Sequence, residues 1–70
     1  MSEQQFIEFL SRMKKAVTNM QRAELERRAF DLNNAATVLE EEGLDTRQAK
    51  QMQIVYLEEL TRRIREEVRV

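Results

Sequence analysis

Gly43 is the only glycine in a 70-residue chain that contains no proline. It is therefore the one place where the backbone can take a left-handed conformation cheaply and close a helix. Its surroundings suit that role. Glu40, Glu41 and Glu42 precede it, and Leu44 follows where the Schellman cap packs a side chain back onto Leu39. Asp45 and Gln48 have the spacing of a capping box: the acid would accept from the Gln48 amide and be favoured by the positive end of a new helix. Two helices joined by so short a link lie side by side and antiparallel. The chain is thus predicted to be built on a helical hairpin.

Composition supports helix throughout. Charged residues make up 36% and hydrophobic ones 41%, the mixture of an amphipathic all-α chain. A chain this short buries only about 60% of its unfolded surface, and scaffolds of this size usually need a disulfide, a metal or an oligomeric partner. With no cysteine and no histidine, disulfides and imidazole or thiolate metal sites are excluded. Self-association is the remedy left. No cofactor is expected. A formal charge of -1 gives no global attraction to nucleic acid or anionic membrane. The polar start Met1, Ser2, Glu3, Gln4, Gln5 and the lack of an apolar run of membrane length suggest a cytoplasmic protein without a signal peptide or membrane span.

Along the chain, Ser2 and Gln5 form a capping box that opens a first helix. Its apolar stripe is Phe6, Phe9, Leu10, Met13, Ala16, Val17 and Met20. Leu25, Ala29, Leu32, Ala36 and Leu39 then recur on a side of the wheel about 120° away. That change of phase predicts a break near residues 18–22, where Thr18 and Gln21 offer another capping box; one long bent helix is the alternative. A third helix carries Ala49, Tyr56, Leu57, Leu60, Ile64 and Val68 on one face. The expected architecture is an all-α three-helix bundle, an antiparallel hairpin plus an N-terminal helix. It forms a single domain over residues 1–70, with helices at about 3–18, 20–42 and 46–68, and dimerises into a larger bundle.

Candidate functional residues fall into three sets. Around Met52, Ile54, Val55 and Tyr56 the third helix is apolar almost all round, which a single neighbouring helix cannot cover; with Phe30 on the second helix these residues are expected to form a homodimer interface. Glu40, Glu41, Glu42 and Asp45 make an acidic tip that suits a basic protein partner, without the ligand spacing of a calcium loop, so no metal site is expected. Arg62, Arg65 and Arg69 run along one side of the third helix and could follow a phosphate backbone. Glutamates surround them, though, and no aromatic residue is interleaved for base stacking. Without His or Cys, Ser2 and Ser11 have no base to activate them, so catalysis is not expected. The first helix is amphipathic enough to lie on a membrane, but packing into a core is the commoner fate of such a face.

The favoured reading is a small intracellular protein-interaction module, an adaptor or regulator acting as a homodimer. A nucleic-acid-associated regulator using the arginine side is the alternative, and a structural assembly subunit is a further one.

Overall fold

The computed structural model describes residues 2–68. It contains three α-helices, α1 (Glu3–Val17), α2 (Arg22–Glu41) and α3 (Arg47–Glu67), and no strand among the described residues.

Each boundary has a local cause. At the start of α1 the Ser2 hydroxyl accepts from the Gln5 amide at 3.2 Å, and the Ser2 amide donates to the Gln5 side chain at 3.0 Å, which satisfies two otherwise orphaned donors. The break between α1 and α2 is present, so residues 3–42 are not one bent helix. It does not use the Thr18 and Gln21 box, however. Thr18 stays helical (φ -63°, ψ -23°) and its hydroxyl donates to the Lys15 carbonyl at 2.7 Å, so it caps α1 instead of opening α2. Gln21 turns extended and starts α2 with no side-chain cap. Met20, just ahead of it, packs against the buried cluster that contains Leu25, where a hydrophobic staple would fix the entry of the helix.

Between α2 and α3 the Schellman cap is complete. Gly43 has φ 72°, its amide donates to the Glu40 carbonyl at 3.0 Å, and the Leu44 amide donates to Leu39 at 2.8 Å. The Leu44 side chain nevertheless stays 58% exposed. The capping box of Asp45 with Gln48 does not form. The Asp45 carboxylate is occupied by Arg47, accepting from its amide at 2.9 Å and from its guanidinium at 2.8 Å, an Asx-type turn reinforced by charge. α3 consequently begins after Thr46, which makes no side-chain cap bond.

α2 and α3 make the most extensive contact, while α1 lies chiefly on α3. Leu25 is fully buried, and Met13, Val17, Ala29, Val55, Tyr56 and Leu60 close around it. α1 is anchored at its other end by Phe6, buried and stacked on Phe9 with ring centroids 6.2 Å apart. The result is a slab, 45 × 26 × 16 Å. Its radius of gyration of 13.4 Å exceeds the about 11 Å of a compact 70-residue domain.

Candidate functional site

α1 covers one side of the hairpin and leaves the other open. On that open side a shallow groove of about 320 Å³ runs between α2 and α3, with Ala29 and Leu60 as its floor and Phe30, Asn33, Gln53 and Leu57 along its edges. Phe30 is 63% exposed and both Leu57 and Ile64 are 44% exposed. These exposures correct the expected helix 3 stripe. Leu57, Ile64 and Val68 do not share the buried face with Tyr56 and Leu60; they turn away from α1 and towards water.

The proposed homodimer residues separate in the same way. Val55 and Tyr56 are buried within this chain, in one cluster with Met13 and Val17 of α1 and Leu25 and Ala29 of α2, so they present no surface to a second chain. The cause is the direction of α1: lying chiefly on α3, it covers the Val55 side of that helix and leaves the Ile54 and Leu57 side bare. Met52 is half-buried against the same cluster. Phe30 and Ile54 remain accessible.

The acidic tip is not one constellation. Glu40 pairs with Lys50 at 2.7 Å, which ties the end of α2 to the start of α3. Asp45 pairs with Arg47, whose guanidinium first and amide second hold the Asp45 carboxyl down to about 2. Glu41 and Glu42 stay exposed. Among the described residues no three carboxylates converge as a cation site would require.

The arginine side is likewise partly used up within the chain. Arg62 donates to Glu66 at 2.6 Å and through Nε to Glu59 at 3.1 Å, so two carboxylates offset its charge. Arg65 is exposed, and Arg69 lies outside the described residues. Ser2 spends its hydroxyl on the α1 cap. No helix among the described residues is long and apolar enough to cross a membrane.

Sequence reasoning missed the polar centre of the molecule. Glu59 is only 6% exposed and accepts from Arg62 and, at 2.8 Å, from Arg63. Arg63 in turn donates to the carbonyls of Val17 and Thr18 at 3.1 and 3.3 Å, the unsatisfied end of α1. The favourable spacing of Glu59 and Arg63 on a helix was visible in the sequence; the burial of Glu59 and the reach to α1 were not. The Glu59 carboxyl is held below its ordinary value, first by the Arg62 hydrogen bond and further by Arg63, against the opposing effect of burial. Every buried side-chain polar atom among the described residues has a partner. Compared with protein families, with characterised proteins and with solved structures, the chain shows no match.

Proposed function

We propose that this chain is a small helical protein-interaction module, an adaptor or regulator that docks through the open face of its hairpin and works in dimeric form. The observation that carries the reading is that face: Phe30 and Leu57 stand exposed along a groove whose floor is apolar, and Ile64 is exposed further along α3, on the side that α1 does not reach. Aromatic and aliphatic side chains grouped beside a shallow groove suit the apolar face of another helix, whereas isolated exposed leucines would need no explanation. Glu41 and Glu42 at the tip add negative charge that favours a basic edge on the docked partner.

Leu57→Lys tests the reading. The substitution places a charge on the face without entering the buried cluster, so helicity, and the unfolding midpoint at about 1 μM where association adds least stability, should match the parent while association with any protein, its own copy or one recovered from native extract, is lost. A variant that unfolds as a core substitution does would show that the face is core, and the reading would fall.

A further inference from the structure

Ile54, Leu57, Thr61, Ile64 and Val68 follow one another at spacings of three, four, three and four, the rhythm of a helix-to-helix seam. All five are exposed. α3 therefore carries two apolar faces, one spent on α1 and α2 and a second, about 21 Å long, that stays exposed among the described residues.

We infer that a second copy of this chain occupies the open face, with the two α3 helices antiparallel about a two-fold axis near Thr61, so that Glu58 of each copy meets Arg65 of the partner subunit. This rests on reading the face as a docking surface, and specifies its occupant.

Surface area supports a copy of this size. The chain, of 8.4 kDa, exposes 5531 Å², about 900 Å² more than a compact monomer of that mass. Each partner in a standard interface buries about 800 Å², so one isologous contact removes the excess. Charge selects the direction. Glu58 and Arg65 flank the seam one heptad apart, both exposed, and among the described residues neither joins an ion pair within the chain. Antiparallel pairing about Thr61 brings these opposite charges together twice, as two-fold symmetry requires. Parallel pairing would set Glu58 against Gln53 and Arg65 against Leu60 and satisfy neither. Thr61, the one polar member of the seam, then falls at the axis, where a polar position fixes register.

Because the chain has no cysteine, single-cysteine variants report distance cleanly. Sedimentation equilibrium establishes the mass of the parent, and Thr61→Cys and Ile54→Cys are then oxidised with copper-phenanthroline. A dimeric parent in which Thr61→Cys links to its copy and Ile54→Cys does not supports the proposal, since antiparallel pairing separates the two copies of residue 54 by roughly 22 Å. Linking by both variants shows a parallel seam and overturns it, as does linking by neither. Glu58→Arg and Arg65→Glu should each weaken dimerisation about tenfold, and the double exchange should restore it. A parent that stays monomeric at about 100 μM, well above the Kd of an ordinary stable dimer, overturns the second copy as occupant. It leaves the docking face itself to be judged by the Leu57→Lys comparison.

Discussion

Arg63 adds a long-range cap to the helix end near residue 20, where the chain has no glycine or proline. Its guanidinium supplies donors to two carbonyls at the end of α1, and Glu59 holds it in place. Glu59→Gln removes the charge that orients both arginines and should cost about 1.5 to 3 kcal/mol at neutral pH, the range for hydrogen bonds to charged groups, measured by urea unfolding. The pH dependence has a definite sign. Glu59 has its folded value depressed, so its contribution is complete above the ordinary glutamate value of about 4.3 and is lost as pH falls through the lower folded one. The stability gap between parent and Glu59→Gln should therefore narrow in acid below about pH 4.3. A gap that stays constant would mean the carboxylate is not held by its arginines.

Gly43 gives the second residue-scale prediction. A Cβ added there would touch nothing within 4 Å, but φ is 72°, so Gly43→Val should cost about 1 to 2 kcal/mol through backbone strain alone. A variant that melts with the parent would contradict the left-handed cap. This joint was legible in the sequence because a lone glycine after a helical pattern has one common use. The Asp45 and Thr18 caps were misread because both side chains had nearer partners, Arg47 in one case and the Lys15 carbonyl in the other, and spacing alone does not rank such competitors.

Among the elements, α1 decides which apolar residues become core. The sequence shows α3 to be apolar on too many sides, and that reading stands; it does not show which sides α1 would take. Helical periodicity fixes angles around one axis but not the direction from which a neighbour arrives. The consequence is a contrast between adjacent residues. Val55 is 5% exposed and Ile54 49%. Val55→Asp should remove on the order of 3 kcal/mol or more and abolish the helical circular dichroism signal at every concentration, whereas Ile54→Asp should leave the signal intact. Equal damage from both would place Ile54 in the core as well.

At the scale of the whole molecule, a thin slab with an apolar side and near-zero net charge is suited to packing against protein. The arginine side supports a polyanion less well than the sequence suggested, since Arg62 already serves Glu59 and Glu66. The chain should accordingly show no salt-dependent binding to DNA or RNA; such binding, if Arg65→Gln weakened it, would restore the alternative. The direct test is whether the open face becomes covered in solution. Thermal unfolding of the parent at about 1 and 100 μM should give a midpoint that rises with concentration, because association stabilises the folded state by mass action, and Leu57→Lys should abolish the rise. A parent midpoint independent of concentration, with Leu57→Lys melting well below it, would show the face to be part of a self-sufficient core and contradict the account.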